Sequence, residues 1–395
     1  MRKTILYAAL LMLPFYFQSC SSSEDEPTTK PETEKPADKE EDKNENEDTT
    51  DWQKIANLSS QSLLDFYWNK SKNFFNYYPG KADTPAEDWH YWPQAHAMDV
   101  LIDAYVRTGD DKWKSYFSLW HEGVKQKSGG SYFNDFVDDM EWICLTMIRL
   151  YECTQEQKYM DTAESLWNKI KANWNTQGGG GIAWKQSQQW SKNSCSNGPA
   201  GIIAARMYQL NGKKKEDLEW AQKIYNWQSE RLVDLKTGAV YDNLNAQTRE
   251  IQKNWIYTYN QGTYMGTAHE LYRITGEDFY LNYANKAATY CITNLIDSSN
   301  NILKDEGNGD GGLFKGIFMR YFVKLIMEED LKDADRERYV KFFDNNAKVL
   351  NEKGTSGEYL YSTSWAKPGD WTNDMPTQVS GCTLIEAKAF YEKNK

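Results

Sequence analysis

The sequence predicts an all-α fold, an (α/α)6 barrel of six helical hairpins. Three observations predict it. From Ile55 onward, apolar residues recur at helical spacing in about twelve segments, with no strand-rich block between them. Tight turns, often closed by glycine as at Gly109, Gly212 and Gly276, join one helix to the next at intervals of roughly 45 to 65 residues. The helices also alternate between apolar and amphipathic, which implies an inner ring packed on both sides and an outer ring facing water. An open solenoid is the alternative arrangement of such a repeat.

Taken in order, residues 1–20 read as a targeting segment. Arg2 and Lys3 are followed by a short apolar run from Ile5 to Phe17, too short to span a membrane comfortably. The run ends in Phe17-Gln18-Ser19-Cys20, which resembles a bacterial lipoprotein signal with Cys20 as the lipidated residue. An ordinary cleaved signal peptide is the alternative. Residues 21–51 read as a disordered tether, with 13 acidic against 4 basic residues and almost nothing apolar to bury. Of the chain's net charge of −11, this leaves the folded part only mildly acidic. Nucleic acid is thereby excluded as a partner, because phosphate binding needs a basic footprint. Glu24-Asp25-Glu26, close behind Cys20, resembles the export tag of surface lipoproteins. The expected location is the outer membrane, exposed at the cell surface and attached through the lipid alone; a periplasm-facing placement is the alternative.

Residues 52–395 are long enough for one large single-core domain. Its helices are expected to begin near Ile55, Pro93, Asp111, Val137, Glu156, Ser196, Lys215, Tyr259, Glu277, Gly311, Asp333 and Thr377. Cys144, Cys153, Cys195, Cys291 and Cys382 suit neither zinc nor a disulfide framework and read as buried small hydrophobes. His90, His96, His121 and His269 show no metal spacing, so neither a metal nor a cofactor is expected.

Long loops precede the inner helices, and in a closed barrel they converge on one end. They carry Asp88 to Gln94, Asn134 to Asp139, Gly178 to Trp184, Ser194 to Asn197, Tyr257 to Gly262 and Asp305 to Gly312. Aromatics, amides, carboxylates and glycines together are the composition of a ligand cleft. Trp89, Trp92, Trp184, Trp365 and Trp371 lie in polar, Gly- or Pro-containing loops, where they fit as platforms for sugar rings; Trp120, Trp167 and Trp220 fit the core. No Gly-x-Ser-x-Gly elbow or Cys/His constellation is present, and the glycines at 178–181 lack the Lys-Ser/Thr of a phosphate loop. That run reads as a turn giving substrate access to the backbone. Asp138-Asp139 opens the apolar helix through Ile143, Leu145, Ile148 and Leu150. The pair has two readings. It caps that helix, as acidic residues often do, or it supplies the two carboxyl groups of glycoside hydrolysis, the first residue extended and the second helical.

Phe136-Val137-Asp138-Asp139-Met140-Glu141-Trp142 resembles the paired-aspartate motif of glycoside hydrolase family 76, the endo-α-1,6-mannanases. Thr258-Tyr259-Asn260-Gln261-Gly262 with Glu270-Leu271-Tyr272, Asp310 to Phe318, and Gly179 to Trp184 resemble three further signatures of that family, in the right order. Val137 departs from the pattern where an aromatic is common, and Ala183 where a second tryptophan is. The resemblance implies an (α/α)6 barrel, retention of configuration, and α-1,6-mannan or its oligosaccharides as substrate. It also implies Asp138 as nucleophile and Asp139 as acid/base. The substrate-binding residues expected on this basis are Trp92, Gln94, Trp184, Asn197, Tyr259, Asn260, Gln261, Asp305, Glu306, Phe314 and Lys315. Two other functions fit the same fold: a non-catalytic glycan-binding lipoprotein, and another glycan-active barrel enzyme such as an epimerase or an unsaturated-uronyl hydrolase.

Overall fold

Asp51 accepts a hydrogen bond from the Lys54 N–H and so starts helix α1 (Trp52–Tyr67), from which helix follows helix to the C-terminus. The structure is a computed structural model that describes residues 50–80, 90–369, 371 and 374–395. Cys20, the tether up to residue 49 and Trp89 lie outside the described residues. Thr50–Lys395 forms one unit.

The remaining helices are α2 (Pro93–Thr108), a short α3 (Asp111–Lys114), α4 (Phe117–Lys127), α5 (Val137–Thr154), α6 (Gln157–Lys171) and α7 (Gly198–Leu210). They continue as α8 (Lys215–Leu232), α9 (Thr258–Thr275), α10 (Asp278–Asn294), α11 (Asp310–Ile326), α12 (Asp333–Lys353) and α13 (Met375–Asn394). Each expected start lies within three residues of the observed one, except that the segment beginning at Asp111 is broken into α3 and α4. Helix α2 packs on α5, α5 on α7, α7 on α9, α9 on α11, α11 on α13, and α13 back on α2. This closes the inner ring and excludes the open solenoid. Helix α1 backs α13, α4 backs α2, and α6, α8 and α10 back α5, α7 and α9; α12 covers α11 and α13.

The two rings follow from composition. In α6 the buried residues Tyr159, Met160, Ala163, Leu166, Trp167 and Ile170 form one stripe. In α9 every residue from Thr258 to Tyr272 is buried, because this helix has neighbours all round. Glycines let the inner helices approach. A Cβ on Gly262 would stand 2.7 Å from the Phe318 Cα, and one on Gly316 would stand 2.7 Å from the Ser380 Cα.

Inner helices end in short turns, with Gly109, Gln155 and Gly276 in the left-handed conformation. Outer helices lead back through long loops, so the N-termini of the inner helices share one end of the barrel. Short antiparallel pairings stiffen these loops: β1 (Trp68–Asn69) with β2 (Phe74–Phe75), β4 (Val233–Asp234) with β5 (Ala239–Val240), and β8 (Ile296–Asp297) with β9 (Ile302–Leu303). Strand β6 (Asn243–Asn245) lies between β3 (Ser191–Asn193) and β7 (Glu250–Ile251).

Candidate active site

The paired aspartates lie in the first turn of α5, at the barrel end where the long loops gather. Phe136 is the N-cap residue, in extended conformation, and no side chain caps the helix. Neither aspartate is therefore a cap. Both are helical, which corrects the expectation that the first would be extended. Each keeps some surface open to solvent while being crowded by protein, as the floor of a cleft requires.

Two loops build that floor. The Val137 N–H donates to the Trp184 carbonyl at 2.8 Å and the Gln186 N–H to the Asp135 carbonyl at 2.8 Å, so the loop after the glycine run is zipped to the start of α5. This brings the Trp184 indole N–H to Asp138 Oδ2 at 3.2 Å. Trp184 meets the Phe136 ring edge-on, 5.2 Å between centroids, and the Lys185 ammonium lies over both rings. The Asn134 amide donates to Asp139 Oδ2 at 2.9 Å.

The two carboxyls meet different surroundings. Burial pushes Asp138 up to about 6, opposed by hydrogen bonds from the Cys195 thiol, the Trp184 indole and the backbone N–H groups of the first turn. Asp139 is pushed well above the usual carboxylate range, by burial first and then by the negative charges of Asp138 and Asp310; Lys185 and Asn134 pull the other way. Once Asp138 is ionised, its charge adds to the burial that favours the proton on Asp139. Glu141, fully buried further along α5, is pushed well above the usual carboxylate range by its burial and then by the charge of Asp138.

The residues expected to bind substrate fall into two groups. Trp92, Trp184, Tyr259 and Phe314 surround the pair. The Trp92 indole donates to Asp310 Oδ1 at 2.9 Å, and that carboxylate faces Asp139. Tyr259 and the half-buried Phe314 stack at 3.9 Å with 11° between their planes, flanked by Tyr257. The members of the second group hydrogen-bond to protein. Gln94 is fully buried and spends both ends of its amide on the Phe75 backbone. Asn197 is fully buried and clamps the N–H and carbonyl of Ile182. Asn260 and Gln261 lie inside α9, fully buried, holding Asp242 at 3.0 Å and the Val240 carbonyl at 3.1 Å, and neither caps the helix. The buried Lys315 ammonium donates to the Thr363 carbonyl and covers the Trp365 ring. Trp365 is itself fully buried, so it is core rather than platform. Glu306 accepts from the Thr258 N–H at 3.1 Å and so serves the start of α9, while Asp305 accepts from Gly307 and Thr363 in its own loop region. Val137 and Ala183 are fully buried and do not line the cleft.

The glycine run serves packing rather than substrate access. Gly178 to Gly181 all have positive φ, and a Cβ on Gly181 would stand 2.6 Å from the Trp227 ring. Sequence reasoning missed Asn134, Asp310, Lys185, Asp242 and Cys195 as parts of the site. Asn134 and Asp310 had a signal, since both sit at the mouths of inner helices within motifs already singled out. Cys195 lay in a singled-out loop, Ser194 to Asn197, but reads from sequence as a buried small hydrophobe; Asp242 had no signal.

A closed double ring of helices, with a carboxyl pair of unequal acidity flanked by aromatic rings at one end, defines a glycoside-cleaving barrel enzyme. The profile of Glycosyl hydrolase family 76 matches residues 51–395, and the chain belongs to that family. The GH76A α-1,6-mannanase from Salegentibacter sp. HEL1_6 is similar at 40% identity with a TM-score of 0.82, over 86% of this chain and 100% of that one. An inactive variant of that mannanase, with two consecutive aspartates replaced by alanine and α-1,6-mannotetrose bound, matches at 39% identity and a TM-score of 0.82, over 87% of this chain and 100% of that one. Mannan endo-1,6-alpha-mannosidase DFG5 of Candida albicans is 24% identical over 66% of this chain, which spans 64% of that protein's length.

Proposed function

We propose that the protein is a retaining endo-α-1,6-mannanase in which Asp138 is the nucleophile and Asp139 the acid/base. The observation that carries this reading is the unequal environment of two consecutive carboxyls on one helix turn. The Trp184 indole and the N–H groups of the first turn favour the ionised form of Asp138, while the charges of Asp138 and Asp310 disfavour that of Asp139. Consecutive residues on one helix turn can keep their carboxyls at the separation of about 5 Å that retention requires. Support for the substrate comes from the relatives, which are named as α-1,6-mannanases and mannan endo-1,6-alpha-mannosidases, one of them bound to α-1,6-mannotetrose. That the same mannanase is inactive without two consecutive aspartates supports the pair.

In the first step Asp139 gives its proton to the glycosidic oxygen as Asp138 attacks the anomeric carbon from the opposite face. The C–O bond to the leaving sugar breaks and a β-mannosyl ester forms on Asp138. Asp139, now ionised, takes a proton from water, which attacks the ester carbon and releases an α-configured product. The stacked pair Tyr259–Phe314 and the edge of Trp184 offer apolar surface to the C–H faces of the sugars.

The test is reducing-end release from unbranched α-1,6-mannan by the wild type, Asp138→Ala and Asp139→Ala, followed by an aryl α-1,6-mannobioside with added azide. Asp139→Ala should be rescued by azide and give an α-mannosyl azide through the ester. Asp138→Ala should give a β-mannosyl azide by direct displacement. Mannan binding by the wild type with no new reducing ends would make this a glycan-binding protein instead. We also propose that Cys20 carries a lipid that tethers the enzyme to the outer membrane, facing the cell surface. Cys20→Ala should then release active protein from membranes, and a variant that stays bound would refute the anchor.

A further inference from the structure

The Asp138 carboxylate has an indole on one side and a thiol on another. Trp184 takes Oδ2, while Oδ1 is buried without a well-aligned partner. The Cys195 thiol, only 5% exposed, also lies within reach of this carboxylate. It lies in the 3-10 turn Ser194–Ser196, which packs against α5, α7 and α9 and so sits between Asp138 and Tyr259. The turn is firmly held. The Ser194 N–H donates to the Asp242 carbonyl at 2.7 Å, the Ser194 hydroxyl to the Tyr241 carbonyl at 2.6 Å, and the Asn197 amide to the Asn193 carbonyl at 2.8 Å. Behind the thiol, the Tyr259 hydroxyl reaches both Cys195 and Asp242. The Asp242 carboxylate is served by Asn243 at 2.9 Å and Asn260 at 3.0 Å.

A thiol has one proton to donate and a sulfur that accepts weakly. If that proton goes to Asp138, the sulfur can take the Tyr259 hydroxyl proton while Asp242 keeps its two amides. We propose that Cys195 is a positioning residue of the active site: its thiol, fixed by the 194–197 turn and backed by Tyr259, aims the Asp138 carboxylate at the anomeric carbon and favours its ionised form. This deepens the reading of Asp138 as nucleophile and rests on it. The ionisable groups facing Asp138 are Asp139 and Glu141 from α5, Cys195 from the turn, and Tyr259 from α9; Asp242 faces Cys195 and Tyr259. Under the reading of Asp138 as nucleophile, the acid limb of activity is the ionisation of Asp138, whose charge adds to the burial that raises Asp139 and Glu141.

The experiment is the pH profile of kcat/KM on an aryl α-1,6-mannobioside for wild type, Cys195→Ala and Cys195→Ser, with thermal melts of each. Removing the donor should move the acid limb to higher pH by about 0.5 unit, a loss of about threefold in kcat/KM below the limb. Serine, a stronger donor in the same place, should move the limb down. Limbs that coincide in all three proteins overturn the proposal, whatever happens to the melting temperature, and leave Cys195 as packing. If Cys195→Ala does not fold, the direction of the Cys195→Ser shift decides. Failure of the underlying reading looks different: wild type without an acid limb, or hydrolysis that survives Asp138→Ala.

Discussion

Replacing Asp138 by its amide should make the protein more stable, and by an amount that depends on pH. Burial raises the Asp138 carboxyl from an ordinary 3.8 to about 6 in the folded chain. Between those values the folded state binds more protons than the unfolded one, so stability falls as pH rises. The contribution is fully present below the unfolded value and is lost as pH rises through the folded one. A shift of about two units is about 3 kcal/mol at neutral pH. Asparagine has the same shape and no charge to desolvate, so Asp138→Asn should recover most of that. With an unfolding entropy of about 2.1 cal/mol/K per residue over roughly 350 residues, 3 kcal/mol is about 4 °C in Tm. Calorimetric melts of wild type and Asp138→Asn at pH 4, 6 and 8 would measure it. The gap should be near 4 °C at pH 8 and shrink to about 1 °C at pH 4. A gap that does not change with pH, or a variant less stable at pH 8, would refute the argument that this carboxylate is held ionised at the expense of stability.

Two other substitutions separate chemistry from scaffolding. Trp184→Phe keeps the ring and removes the N–H on Asp138, a charge-assisted hydrogen bond of about 1.5 to 3 kcal/mol; kcat/KM should fall by about tenfold or more with the acid limb moved to higher pH, and an unmoved limb would show that the indole serves packing alone. Gln261→Ala strands the buried Val240 carbonyl at a cost of about 1 to 3 kcal/mol, so Tm should drop while KM for α-1,6-mannan stays put; a raised KM at unchanged Tm would restore Gln261 to the substrate.

The barrel was legible because its signals are local. Gly109 and Gly276 stop helices where only a left-handed residue fits, Pro93 starts α2, and the stripe in α6 shows which helices face water. The carboxyl pair was legible because Asp138 and Asp139 open an apolar run. The amides misled. Gln94, Asn197, Asn260 and Gln261 sit in the same motifs as the aromatics of the cleft, and an amide that holds a backbone carbonyl has the same letter as one that holds a sugar. Periodicity could not separate them, because an inner helix such as α9 is buried on all sides and has no outward face to read. Cys195, which reads from sequence as a buried hydrophobe, and Asp242 were missed for a different reason. Their neighbours are met only when the 194–196 turn and the β5–β6 connection are brought against α5 and α9, across 57 and 18 residues of chain, respectively, from Cys195 to Asp138 and Asp242 to Asn260.

The central claim is that consecutive aspartates on one helix turn cleave an α-mannoside with two inversions. Proton NMR of the first minutes of α-1,6-mannan hydrolysis reads this directly, before the new reducing ends mutarotate. The paired-aspartate account predicts that the α-anomer signal appears first and the β-anomer grows in only later. A β-anomer that appears first would mean a single displacement by water and would contradict the role of Asp138 as a covalent nucleophile.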